Sequence, residues 1–280
     1  MSMHRAMHCR LDEDLSQLTH FLRRQGVPHR ITEERGRQVI WTRDEVDAEI
    51  VRGVYAQGVP ESTASQRPSG GGARLRLAWQ QMLRLIPVTM AVLLITAVVA
   101  VITRLGSELQ TIALFTFTPI TPTGYIAAVP DMAQWWRLIA PMFLHFGWMH
   151  LAFNALWYWE LGRRIELRSG AWWLLGLTVL FALVSNTAQW LFGGPAIFGG
   201  LSGVLYGLLG YCWLYQLLAP NVHFALPKGV VVMMLGWLVL CLSGVVTLLG
   251  FGAIANAAHV GGLVIGCLCG AVAGGLQRRR

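Results

Sequence analysis

Carboxylates nearly vanish from this chain after Glu61: only Glu108, Asp131, Glu160 and Glu166 follow, and Lys228 is the sole lysine. Charged side chains fill 13% of the 280 positions and hydrophobic ones 55%, where a soluble domain carries charge on roughly a quarter of its residues. A soluble fold is thereby excluded for most of the length, and a lipid-embedded chain is indicated. No Asp or Glu occurs beyond Glu166, so the intramembrane aspartate pair of an aspartyl protease is missing. His145 and His150 are five apart, so no HExxH zinc motif exists either. The five cysteines (Cys9, Cys212, Cys241, Cys267 and Cys269) lack zinc-ligand spacing, and four lie inside apolar runs as packed thiols. Neither a metal nor a cofactor is expected, and the polar N-terminus has no apolar core of a cleavable signal peptide.

The formal net charge of +8 rests almost wholly on arginine. Clusters of arginine at the ends of the apolar runs read as topology signals, and no basic patch interleaved with exposed aromatics calls for nucleic acid.

Residues 1–60 read as a small α/β domain. A helix from about Asp12 to Arg24 sets Leu15, Leu18, Phe21 and Leu22 on one face, Gly26 stops it, and short strands follow at Val27–Thr32 and Gln38–Trp41. Thr42-Arg-Asp-Glu45 has the form of a capping box opening a second helix through Tyr55. Residues 61–80, beginning ESTASQRPSGGGAR, read as a flexible linker to a domain at 81–280.

Apolar runs near 85–103, 147–162, 171–192, 201–219, 228–249 and 254–276 predict six membrane helices. The intervening loop 104–146, with Pro119, Pro122, Pro130 and QWWR at 134–137, is too broken to span and suits an interfacial segment. Arg76 and Arg84, then Arg163, Arg164 and Arg168, then Lys228, then Arg278–Arg280 mark alternate loops. The positive-inside rule places both termini in the cytoplasm; Arg104 and Arg137 are exceptions in the long loop.

Polar residues inside the apolar runs then fall at one depth. Ser202 opens the fourth run, His259 lies near the start of the sixth, and His150 and Asn154 stand one turn apart in the second. Such residues in lipid are costly and mark function by default. Gly262, Gly266, Gly270 and Gly274 recur on roughly the face of His259, and Gly199, Gly203 and Gly207 accompany Ser202, so the two helices can approach closely. From these two runs alone, plain helix packing around a small serine and a satisfied histidine explains the pattern equally well. Chemistry favours more. A serine hydroxyl becomes nucleophilic when a neutral imidazole takes its proton, and a carbonyl under attack needs donors for its oxyanion. Ser202 and His259 supply the pair; His150, Asn154 and the Ser202 amide supply donors; Tyr206, one turn after Ser202, can hold the His259 ring by stacking. With no carboxylate at hand, a dyad is the only form available.

At these residues, in GGLSGVLYGLLGY, HLAFNALWYWELG, ANAAHVGGLVIG and WWR, the chain resembles the rhomboid intramembrane serine proteases, and FLRRQGV and VIWTRDEVDAEIVR resemble the cytoplasmic domain of their bacterial type. The resemblance implies an all-α polytopic fold: a six-helix bundle with a small N-terminal α/β cytoplasmic domain in a bacterial inner membrane. It implies Ser202 as nucleophile, His259 as general base and acid, and His150, Asn154 and the Ser202 amide as the oxyanion hole, with Tyr206 packed on the imidazole. It also implies a substrate gate at Phe153 and Trp237, with a mobile cap near Leu248, Leu249 and Phe251. Trp136 and Arg137, Glu166 and Gly170 fall at architectural positions. Its substrates are transmembrane segments cut near the outer, periplasmic face through an acyl-enzyme, and its partners are those substrates and the bilayer. Pro141 and Ala257 depart from the family pattern, where a histidine and a glycine are common. The alternatives are a non-catalytic relative that binds membrane helices, which would not need both Ser202 and His259, and a solute transporter, which would need broken helices repeated in both halves.

Overall fold

A computed structural model describes residues 4–58, 79–80, 82–121, 123–249 and 253–279. It divides into two compact units, residues 1–76 and 77–280. Most of the expected linker, Pro122 and Phe251 lie outside the described residues.

The first unit runs β1 (His4–Arg10), α1 (Ser16–Arg24), β2 (His29–Glu34), β3 (Arg37–Thr42) and α2 (Glu45–Gln57). Its antiparallel sheet has the order β1-β3-β2. The two-residue connection between β2 and β3 needs left-handed backbone at both positions, and Arg35 (φ 51°) and Gly36 (φ 75°) supply it. Leu18 and Leu22 from α1 and Ala48 and Val51 from α2 cover the sheet face that carries Cys9 and Ile40. Strand β1 escaped the sequence reading because its apolar alternation is broken by a bulge between Arg5 and Met7. The expected capping box is also corrected. Thr42 is committed to β3, opposite both His4 and His29, so Asp44 caps α2 instead and accepts the Asp47 amide at 2.9 Å. That bond holds the Asp44 carboxyl below its usual range, so the cap is complete at neutral pH and is lost as pH falls through the folded-state value.

Among the described residues of the second unit the long helices are α3 (Pro87–Ile102), α4 (Trp148–Ser169), α5 (Ala171–Gly193), α6 (Ser202–Leu218), α7 (Lys228–Leu242) and α8 (Asn256–Arg278). By length and apolarity α5 and α8 are sufficient to cross a bilayer. Helices α3 and α7 are apolar but have 16 and 15 residues, reaching roughly 22–24 Å against about 30 Å of hydrocarbon. The run expected as one span over 228–249 is interrupted: α7 stops at Leu242, Gly244 turns left-handed (φ 80°), and a single helical turn, Val245–Leu248, follows. Helix α4 continues past its expected end because Arg163 and Arg164 pair back onto Glu160 of the same helix.

Helix α6 is the hub, buried almost all round. A Cβ at Gly262 or Gly266 of α8 would overlap the carbonyl oxygens of Gly203 and Gly207, and one at Gly270 that of Tyr211. From the α6 side, Gly210 lies against the Cys267 amide and Gly207 against the Phe181 ring of α5. Polar anchors hold the periphery. The buried Glu166 carboxylate accepts the free amides of Val88 (2.7 Å) and Thr89 (2.8 Å) and the Thr89 hydroxyl (2.7 Å) at the start of α3, where the helix dipole favours an anion. Arg137, also buried, donates to the carbonyls of Ala113 (2.6 Å) and Thr116 (3.1 Å) and to Gln134 (2.7 Å), drawing the 104–146 loop together. From α5, Asn186 and Trp190 donate to the loop carbonyls of Leu138 and Ala128.

Two outcomes follow for stability. Gly266→Ala should cost about 1–3 kcal/mol by forcing α8 off α6, whereas Gly275→Ala, facing open space, should be near neutral; thermal unfolding in detergent compares them. Glu166→Ala should cost about 2–3 kcal/mol, a lost charged acceptor with two amides left bare, and Glu166→Gln less.

Candidate active site

The loop before α6 is shaped by Gly200. Its φ of 120° suits only glycine, and a Cβ there would stand 2.7 Å from His150 Nε2 and 3.5 Å from Asn154 Nδ2. The Gly200 amide donates to the Pro141 carbonyl at 3.0 Å, so the 104–146 loop, the irregular approach to α6 and helix α4 meet here. His150 and Asn154 share one face of α4 because they are four residues apart. The Phe146 amide donates to His150 Nδ1 at 3.4 Å, which leaves the ring proton on Nε2, the atom aimed at Gly200. His145, fully buried, packs beside it with ring centroids 5.0 Å apart.

Two residues beyond Gly200, Ser202 opens α6. Its Oγ lies 2.8 Å from His259 Nε2. The shared backbone contact between α6 and α8 sets this approach, because Gly203, next to Ser202, and Gly262, one turn after His259, touch directly. His259 is buried, and its Nδ1 has no hydrogen-bond partner among the described residues. The Tyr206 ring is 5.0 Å from it at 47°, a tilted contact where stacking was expected, because the Tyr206 hydroxyl is drawn aside to donate to the Met234 carbonyl of α7 at 3.0 Å.

One supporting residue was missed in the sequence. Gln189 of α5 accepts the Ala258 amide at 3.1 Å and so fixes the first turn of α8, immediately before His259. Its only signal was polarity within an apolar run, together with Ser185, against whose hydroxyl Gly203 packs. Asn256 donates to the Cys241 carbonyl of α7 at 3.1 Å. Phe153 and Trp237 are not brought together as a ring pair among the described residues; each is more than half exposed, at 55% and 52%, on α4 and α7. Leu248 and Leu249 are exposed as well, and Phe251 lies outside the described residues. Among the described residues no three His, Cys, Asp or Glu side chains converge as metal ligands. The chemistry on hand is therefore an oxygen nucleophile, an imidazole able to take its proton, and N–H donors facing the adjoining turn.

Comparison with known proteins gives this arrangement a lineage. The rhomboid domain model matches residues 132–275, and the rhomboid N-terminal domain model matches residues 1–66. The rhomboid protease GlpG of Serratia proteamaculans (strain 568) is 41% identical over 182 residues, which is 65% of this chain and 61% of that protein. Its namesakes from Yersinia pestis (strain Pestoides F) and Yersinia pseudotuberculosis serotype O:3 (strain YPIII) are 37% identical over the same shares. The matched stretch thus spans less than two thirds of these relatives' length. With one family's domain covering the helices that carry His150, Asn154, Ser202 and His259, and that family's N-terminal module ahead of it, the chain belongs to the rhomboid family.

Proposed function

We propose that this chain is an intramembrane serine protease that cuts transmembrane segments of other proteins with a Ser202–His259 dyad. The observation that carries the reading is the 2.8 Å separation of Ser202 Oγ and His259 Nε2, in helices pressed together by glycine. The name protease borne by relatives 37–41% identical supports it.

In this reading all six long helices lie in a bacterial inner membrane, with both termini in the cytoplasm and residues 1–60 forming an accessory domain there. Helix α6, at 17 residues, need not reach either surface, because protein surrounds it. Ser202 would then lie below the periplasmic surface, where polar side chains and irregular backbone are tolerated beside water or buried in protein. A substrate helix would enter from the bilayer between α4 and α7, past Phe153 and Trp237, and unwind, since paired helical amides are closed to attack. A small residue before the cut and helix breakers nearby would help.

In the first step Ser202 Oγ adds to the scissile carbonyl carbon while His259 Nε2 takes the hydroxyl proton. His150 Nε2–H, Asn154 Nδ2–H and the Ser202 amide would hold the oxyanion, a role worth about 10²–10³ in rate for one donor in other enzymes. Collapse breaks the C–N bond, and the amine leaves with the proton from His259. Water, deprotonated by His259, then hydrolyses the acyl-enzyme and restores the serine. Without a carboxylate partner, His259 would be oriented by packing against Tyr206 and by the Gln189 bond at the preceding residue.

Ser202→Ala should abolish cleavage of a fluorescent transmembrane substrate and labelling by a fluorophosphonate while leaving thermal unfolding nearly unchanged; labelling that persists at another residue contradicts the dyad. Gly200→Ala should lower kcat at least roughly tenfold by pushing His150 off the oxyanion position, with the protein still labelled more slowly at Ser202.

A further inference from the structure

Two buried side-chain atoms on the first turn of α8 have no hydrogen-bond partner among the described residues: Nδ1 of His259 and Oδ1 of Asn256. Such atoms are uncommon in folded chains, and each needs a physical account. What the other end of each group does fixes their characters. Ser202 Oγ lies 2.8 Å from His259 Nε2; a ring nitrogen that is to receive the hydroxyl proton presents its lone pair, so the ring's own proton sits on Nδ1. Asn256 donates to the Cys241 carbonyl of α7 at 3.1 Å, which only the amide nitrogen can do, so the oxygen is its free end. One bare atom is a donor and the other an acceptor.

Helix geometry makes them neighbours. Asn256 and His259 are three residues apart, about 60° around the helix axis, and side chains at that spacing meet. The turn between them is tied down: the Ala258 amide donates to Gln189 of α5 at 3.1 Å, and the His259 amide to the Ala255 carbonyl at 3.3 Å. Helix α7 reaches both residues, directly through Cys241 and by way of Tyr206, whose ring contacts the imidazole and whose hydroxyl donates to the Met234 carbonyl. Asn154, the other amide of the site, is turned toward Gly200 instead.

We infer that Asn256 is the positioning residue of the base, its Oδ1 accepting the Nδ1–H of His259 as the reaction proceeds. The inference rests on the Ser202–His259 chemistry proposed above. When the serine proton passes to Nε2 the ring becomes an imidazolium, and its Nδ1–H becomes a charge-assisted donor; a small turn of the Asn256 side chain then brings Oδ1 onto that proton. No proton moves to the amide. A carboxamide thus fixes tautomer and ring plane as a buried carboxylate does in other hydrolases, and it brings no negative charge into a stretch that has no Asp or Glu beyond Glu166.

The test uses the full chain in detergent micelles with isotopically labelled histidine, the Nδ1–H proton resonance of His259 being the one absent from His259→Ala. Asn256→Leu keeps the volume and removes the oxygen, whereas Asn256→Asp keeps an oxygen in place. The resonance should be lost to exchange or shifted in Asn256→Leu, and displaced but retained in Asn256→Asp. On a fluorescent transmembrane substrate, kcat should fall roughly tenfold in Asn256→Leu with KM unchanged, and return to within about threefold of wild type in Asn256→Asp. A mere tie between α8 and α7 would instead alter KM and thermal unfolding and leave the resonance alone. The same resonance in wild type and both variants, a wild-type kcat in Asn256→Leu, or an Asn256→Asp as slow as Asn256→Leu would overturn the inference. Should Asn256→Leu not fold, Asn256→Asp against wild type decides by the same resonance, an unmoved signal overturning it. Absence of cleavage by the wild type would strike the protease reading, while the resonance still tests the contact.

Discussion

Helix α8 rests on α6 backbone to backbone, and the remainder of the second unit is arranged around that contact. In lipid there is little hydrophobic gain in joining two apolar helices, so association depends on packing and on polar contacts. Glycines at 262, 266 and 270 remove every side chain that would hold the axes apart and place the α8 backbone on the carbonyls of residues 203, 207 and 211. Close packing has a second effect: it fixes rotation as well as distance. The face of α8 that carries the glycines also carries His259, and the turn of α6 that carries Gly203 carries Ser202. One constraint therefore serves both assembly and the meeting of imidazole and hydroxyl.

Around that axis, the second unit is held by a few buried or half-buried polar groups that bind main chain rather than one another. Glu166 closes the start of α3, Arg137 gathers carbonyls of the long loop, and Gln189 takes an amide from the first turn of α8. Each satisfies backbone groups that helix ends and irregular loops leave bare, which is costly where water is scarce. The result is a loop and two helix termini that stay ordered although none has the regular hydrogen bonding of a helix interior.

The sequence made the helical runs, the glycine spacing and the four polar residues of the site legible because each is a local departure from a greasy background. Ser202 and His259 stood out by rarity, and the four-residue glycine period said which helices could approach. The partners of Arg137 and Gln189 were illegible for the opposite reason: their acceptors and donors are backbone groups of distant residues, which every residue type presents alike. The break at Gly244 was hidden because a glycine inside an apolar run reads equally as packing surface. Thr42 looked like a cap until strand pairing claimed it.

Helix α7 differs from its neighbours in how little of it is enclosed: Met234, Leu238 and Cys241 form a single buried stripe. Two of those same positions accept hydrogen bonds through their carbonyls, from Tyr206 beside the imidazole and from Asn256 at the head of α8. Sideways travel of α7 cannot occur silently, since it strips a phenol and an amide of their acceptors in the same stroke. Opening on that side and disturbance of the ring that flanks His259 are thus one mechanical event, and the phenol is its built-in strain gauge.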